Sequence, residues 1–247
     1  MPRIIASIEA RMNSSRFPGK VLADVHGRPA LSRLLNRLRL AETINDIVLA
    51  TSKAPSDDAL EKWAASEQIQ CYRGSEDNVL NRVTKAHKMM HSDIIVEVTG
   101  DCTLLDPEVI DLGVKTFLEN DCDVVTNVRQ LSFPMGVDVQ VFRFRDIEAI
   151  EKTVTDDLPA REHVSLYFYE HPEKYRIIHL KATKLYYGPE LRFQLDYQED
   201  YKFINEIYRK LEPQYGNKFG TPEILALLHK EPTLLEINRH CKERAAR

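Results

Sequence analysis

Along the first half of the chain, short β-branched runs alternate with stretches of helical spacing. Ile4 to Ile8 reads as a buried strand followed by a polar loop. From Ala30 to Leu40, Leu31, Leu34, Leu35 and Leu38 recur on one helix face. The pattern then predicts a strand at Ile47 to Thr51, a helix at Asp57 to Ser66, a strand at Ile69 to Tyr72 and a helix at Asp77 to Met90. Asp93 to Val98 is the most strand-like segment of all, and it runs into Thr99-Gly100-Asp101. Pro107 opens a helix towards Leu118, and Asp123 to Asn127 forms another strand. The second half is less regular. Val137 to Phe142, Arg176 to Lys181 and Leu191 to Leu195 read as strands, and Ala160 to Tyr169 as a helix with an aromatic stripe. Tyr197 to Leu211 is an amphipathic helix, and Glu223 to Leu228 and Pro232 to Ile237 look like short helices.

Strands alternating with helices predict right-handed βαβ units, hence an α/β fold with a mostly parallel sheet sandwiched by helices. The second half adds a small β-rich extension. Apolar strands without alternation fit a sheet covered on both faces. Ligands of such sheets bind at the carboxyl ends of the strands. That rule selects the loop after Ile8, the loop after Tyr72, and Asp101 after Val98.

Composition narrows the partners. The 247 residues carry a net charge of -4, so no basic excess suits a polymeric nucleic acid, and an anionic ligand needs a local cluster of cations. Cys71, Cys102, Cys122 and Cys241 show no metal-finger or redox spacing, which suggests reduced thiols in a cytoplasm. Arg3 and Glu9 bracket too short an apolar run for a signal peptide, and nothing approaches the ~20 apolar residues of a membrane helix.

The loop after the first strand reads Ala10-Arg11-Met12-Asn13-Ser14-Ser15-Arg16-Phe17-Pro18-Gly19-Lys20. Arg forks, a Lys point charge and a glycine that admits close backbone approach suit a polyphosphate. With one glycine it is not a P-loop. A solvated surface loop is the bland alternative. Asp101 and Asp196 each end a strand; two such acids can share a magnesium ion, or each can cap the structure that follows. Asp106 and Asp200 look like helix-start residues. Cys102 has no evident activating base for a nucleophile.

These motifs resemble the cytidylyltransferase family of sugar-acid activation, in its branch named for spore coat polysaccharide biosynthesis protein F. That branch carries A-R-M-x-S-x-R-x-P-G-K-x-L after its first strand, matched here from Ala10 to Leu22. The likeness continues through Arg73-Gly74-Ser75-Glu76-Asp77, Gly100-Asp101-Cys102, Arg161-Glu162-His163-Val164 and Leu195-Asp196. Two of the family's prolines are missing, at Thr103 and Gln198. The resemblance implies a Rossmann-like, nucleotide-diphospho-sugar transferase-like fold in one domain over 1–247, with a nucleotide half (1–130) and an acceptor and dimerisation half (131–247). It implies transfer of CMP from CTP to a small anionic acceptor, a sugar acid, phosphate or phosphonate, with release of pyrophosphate. By the same resemblance Asp101 and Asp196 hold Mg2+. Arg11, Arg16 and Lys20 act on the phosphates. Ala10, Ser14, Arg73, Gly74, Asn78, Arg82 and Asp101 line the nucleotide, and Asp138, Arg161, Glu162 and His163 the acceptor. A homodimer is expected through the second half, with Val137 to Phe142 and Tyr167, Phe168 and Tyr169 as its candidate surface. Two rival readings stand beside this one: a glycosyltransferase using a nucleotide sugar, although Asp101-Cys102-Thr103 lacks a second Asp, and a nucleotide-binding protein without catalysis.

Overall fold

The computed structural model describes residues 2–242; the span 1–247 expected as one domain also takes in residue 1 and residues 243–247, which lie outside it. In chain order come β1 (Ile4–Glu9), β2 (Asp24–Val25), β3 (Arg28–Pro29), α1 (Ala30–Leu38), β4 (Asp46–Ser52), α2 (Asp58–Ser66), β5 (Gln70–Gly74), α3 (Val79–Met90), β6 (Ile94–Thr99), α4 (Pro107–Glu119) and β7 (Val124–Thr126). Then follow β8 (Gln140–Arg143), α5 (Phe144–Thr153), α6 (Leu158–Glu162), α7 (Leu166–Glu170), β9 (Ile177–His179), α8 (Gln198–Tyr215) and α9 (Thr221–Lys230). Seven strands form one sheet in the order β5-β4-β1-β6-β8-β7-β9. Every neighbouring pair is parallel except those made by β8, which runs against both β6 and β7. The second half's strands thus join the far edge of the same sheet.

The apolar strands are explained by what covers them. Ile4, Ala6, Ile8, Leu49, Val96 and Val98 face one core, shared with the leucines of α1 and with Val109, Ile110 and Val114 of α4. Ile5, Val48, Ala50, Ile95, Val124 and Phe142 face the other, under α3, α5 and Phe168 of α7. Each such Ile or Leu, fully buried, contributes about 1.5–3 kcal/mol. Helix α1 also buries two arginines. Arg37 donates to the carbonyls of Leu105 (2.5 Å) and Phe219 (2.8 Å), with its guanidinium over the Phe219 ring. Arg33 pairs with Glu212 and stacks on Tyr208. The segment from Tyr208 to Phe219 is thereby fastened to the first helix.

Several expected elements are corrected. Leu191 to Leu195 is extended but is not a sheet strand: its backbone bonds go to Met135 and to Asp101, through a single bridge between Met135 and Arg192. The strand expected from Val137 begins only at Gln140, because the Asn127 side chain takes the Val137 carbonyl (2.7 Å) and the Val139 amide (2.9 Å). The helix expected from Ala160 to Tyr169 breaks into α6 and α7 at an extended His163, where Val164 and Ser165 turn inward. Pro232–Ile237 is a 3₁₀ helix. Helix α5 was not expected, since it buries only Ile147 and Ile150 and so carries a thin apolar signal. Val137, Val139, Val141, Phe142 and Phe168 are wholly buried within the chain, so they form its core and offer no dimer surface. Among the described residues, no helix is long and apolar enough to cross a membrane.

Candidate active site

The loop after β1 is folded by local bonds. Buried Asp57 accepts from the Met12 amide (2.7 Å) while its other oxygen takes the Ser52 hydroxyl (2.5 Å), tying the loop's start to the end of β4. Gly19 closes the loop at φ +72°, a left-handed conformation that a side chain would strain, and its amide donates to the Met12 carbonyl (2.9 Å). Lys20 then opens a 3₁₀ turn and is buried. Ala10 lies under Gly100, where an added Cβ would come within 2.9 Å of Ala10 Cβ and of the Glu9 carbonyl. That close approach brings the ends of β1 and β6 together.

The cationic loop and the two distant acids meet at Lys20. Its ammonium donates to Asp101 Oδ2 (3.0 Å) and to Asp196 Oδ1 (2.6 Å). The other oxygen of Asp196 takes Arg16 and Arg192, each at 2.9 Å. The other oxygen of Asp101 takes the Thr99 hydroxyl (2.7 Å). Burial alone would push the Asp101 carboxyl up, but Lys20, Thr99 and Gln194 outweigh it and hold the group below its ordinary range. Burial works to lower Lys20, and the two aspartates overcome it, so the ammonium stays charged. Two hard carboxylate oxygens within reach of one point are a donor set that can hold a small divalent ion such as Mg2+. A second cluster, Glu199, His240 and Cys241, gathers within 4.8 Å. There burial pushes the Cys241 thiol up to about 11, which disfavours the thiolate a metal needs.

The remaining expected residues divide. Arg11 reaches Glu162 of α6 at 3.8 Å, so the phosphate loop and the acceptor segment face each other, and Ser14 is half-buried in that loop. Asp138 stands next to the site, accepting from the Gly136 amide (3.2 Å) and lying 3.8 Å from Cys102 Sγ. Cys102 is buried and its thiol is pushed well up, the reverse of what a nucleophilic thiolate requires. Arg73 is occupied by the Ser52 and Ala54 carbonyls and by Asp58 and Glu61. Arg82 is buried and holds the carbonyls of Ser75 (2.8 Å) and Glu76 (3.3 Å), packed against Gly74. Asn78 caps α3 by accepting from Asn81 (3.0 Å). Arg161 donates to the Glu151 carbonyl (3.0 Å), and His163 is exposed at the end of α6. Asp106 and Asp200 are helix-start residues: Asp106 accepts from Glu108 and Thr221, and Asp200 from Asp196 and Tyr197.

Sequence reasoning missed Arg192 and Gln194. In Leu191-Arg192-Phe193-Gln194-Leu195-Asp196 the polar residues alternate with apolar ones, and Phe193 and Leu195 are fully buried. That alternation was a usable signal for a shared polar face.

A mostly parallel sheet with acids and a cationic loop at its carboxyl edge defines a nucleotide-diphospho-sugar transferase-like fold. The chain matches the cytidylyltransferase family over residues 5–225 and belongs to it; it is an enzyme of the nucleotidyltransferase class. It is 30% identical over 236 residues to the spore coat polysaccharide biosynthesis protein SpsF of Bacillus subtilis, covering 94% of this chain and 96% of that one. A 3-deoxy-manno-octulosonate cytidylyltransferase of Anaeromyxobacter is 33% identical over 133 residues, 53% of each chain. Among solved structures, a cytidylyltransferase from Leptospira borgpetersenii superposes with a TM-score of 0.89 at 26% identity, covering 99% of this chain and 100% of the other.

Proposed function

We propose that the enzyme transfers CMP from CTP to a sugar acid, with Mg2+ as cofactor, in the making of a surface glycan precursor. The observation that carries this reading is the convergence of Arg16 and Lys20 from one loop on Asp101 and Asp196, which lie far apart in sequence. Asp101 and Asp196 would hold the ion, which when bound offsets negative charge on the phosphates. Arg16 and Lys20 then exchange carboxylate partners for phosphate oxygens, and Arg11 closes from the exposed side. An acceptor oxygen attacks the α-phosphorus, the α–β bridging bond breaks, and its electron pair leaves with pyrophosphate; one proton is released. The protein positions the reactants and neutralises charge, the main work in phosphoryl transfer generally. Arg73, Arg82 and Asn78 shape the base-side loop through its backbone. The names of the relatives support a sugar acid, since one of them activates 3-deoxy-manno-octulosonate.

The test is pyrophosphate release from CTP and Mg2+ with a panel of sugar acids, phosphates and phosphonates. Release should require a sugar acid and fall by on the order of 10²–10³ in Lys20→Met. Release of a nucleoside diphosphate from a nucleotide sugar, or full activity in Asp101→Asn, would sink the proposal.

A further inference from the structure

A row of polar residues crosses the sheet where the strand pattern calls for apolar ones. The register sets Ser7 opposite Glu97, Glu97 opposite Gln140, Gln140 opposite Thr126 and Thr126 opposite His179. Two residues back on the same face stand Ile5, Ile95, Phe142, Val124 and Ile177, all apolar. The face therefore switches from apolar to polar in one step, on the side nearer Asp101. One step further come Glu9 and Thr99, and Thr99 bonds Asp101 directly. The row is a seam running from the candidate metal site into the protein.

Its hydrogen bonding is incomplete. Ser7 is wholly buried and Glu97 is 5% exposed, yet Ser7 Oγ and Glu97 Oε2 find no partner. His179 Nδ1 and Glu9 Oε1 are orphaned as well. Each such group costs about 1–3 kcal/mol, so a seam of them weakens the fold unless something else satisfies it. The roof is polar too: Ser165 donates to Gln140 Oε1 (2.7 Å), Tyr169 donates its one hydroxyl proton to the same oxygen (2.6 Å), and the Thr126 hydroxyl lies 3.1 Å from the Tyr169 oxygen. That roof is α7, five residues long, with its N-cap Ser165; α6, also five residues, precedes it, and Arg11 reaches Glu162 of α6 from the phosphate loop.

We propose that this seam receives the far end of the acceptor, that this end is uncharged and rich in hydroxyl groups, and that Glu97 and Gln140 select it. The inference rests on the nucleotidyltransfer reading and deepens it. Hydroxyls, an amide, an imidazole and carboxylates line the row, and none of its members is a Lys or Arg. A ligand hydroxyl donates to the orphan carboxylate oxygens and accepts from Ser or Thr, whereas a second anion would meet Glu9, Glu97 and Asp138 with no counter-charge in the row. Burial, with Glu97 and Asp101 near Glu9 and Asp138 near Glu97, pushes both carboxyls up against the pull of Arg82 on Glu9, so the row favours neutral groups and suits a neutral ligand. Entry requires the short α7 roof to lift.

The test uses the full chain with CTP and Mg2+. Acceptors are 2-keto sugar acids with free hydroxyl tails, the same acids phosphorylated on the last carbon, and short 2-keto acids with no tail. Hydroxyl-tailed acids should release pyrophosphate, with kcat/KM at least about tenfold above both other groups. Glu97→Gln and Gln140→Ala should raise the acceptor KM about tenfold and leave CTP binding, measured by calorimetry, unchanged. Glu97→Leu should melt above the wild type while failing to use the acceptor, a pairing that a purely structural glutamate does not give. Preference for phosphorylated or tail-less acids, or an acceptor KM within about twofold of wild type in both variants, overturns the inference. So does CTP binding without turnover of any hydroxyl-tailed acid, which leaves the transferase reading standing. A wild type that binds no CTP overturns both.

Discussion

Replacing Lys20 by methionine removes the single cation that Asp101 contacts among the described residues. At 3.0 and 2.6 Å, each attraction is on the order of 6 kcal/mol in an effective dielectric of about 20, before desolvation is subtracted. Side chains at this site are 6–15% exposed, so screening by water is weak. Removing one partner of such a buried pair typically costs about 3–5 kcal/mol, because the other charge is left uncompensated. Asp196 keeps Arg16 and Arg192, so the uncompensated charge is mainly that of Asp101. The expected loss is therefore near the lower end, ~3 kcal/mol, or roughly 6–12 °C in Tm for a chain of this size. Thermal unfolding is measured in chelator and in Mg2+. The variant should melt well below the wild type in chelator and gain more than the wild type from Mg2+, since the ion supplies the missing positive charge. Adding Asp101→Asn to the variant should restore much of the loss, because the orphan charge is then gone. A Lys20→Met protein that melts within about 2 °C of wild type in chelator, or that gains no extra degrees from Mg2+, refutes the reasoning.

Burial raises the Glu97 carboxyl to about 7 from an ordinary 4.5, so the native state binds the extra proton and stability falls as pH rises between these values. Glu97→Gln should flatten that slope and melt above the wild type at pH 8; equal slopes count against the assignment. Arg37→Ala leaves two buried carbonyls without their donor and should cost about 3 kcal/mol, read as a lower urea midpoint with unchanged m. Gly136 sits at φ +93° with Gln194 N only 2.8 Å from where a Cβ would stand, so Gly136→Ala must push the 192–196 segment outward. It should cost about 1–3 kcal/mol and cut pyrophosphate release more than Gly216→Ala, whose surroundings are open.

The sheet was legible because β1, β4 and β6 are short runs rich in β-branched residues, and helices such as α3 and α4 carry apolar residues at helical spacing. The site was legible for a topological reason: Lys20 and Asp101 follow strands whose carboxyl ends must share one edge. Asp196 was placed with them through family likeness, and the structure seats it on the same ammonium although its segment is no strand. Arg73 and Arg82 show what one-dimensional reading cannot resolve. In sequence they are two more cations in a ligand-facing loop, and only tertiary structure reveals that backbone carbonyls and acids occupy them. Glu97 was hidden inside the clearest strand of all. Its significance comes from Ser7 and Gln140 beside it, and that register depends on β8 approaching from a distant part of the chain.

The reversal of β8 has one further effect. Because β7 finishes and β8 starts at the same edge, residues 127–139 form a long excursion whose two feet stand side by side, cross-linked by the Asn127 side chain. Only its exposed stretch at residues 129–131 can change without disturbing buried packing, since Phe133, Val137 and Val139 lie in the core. The excursion carries Asp138 and Gly136, and Met135 within it bridges Arg192, so the reversal that joins β7 to β8 also ties the far edge of the sheet to the segment that bears Asp196.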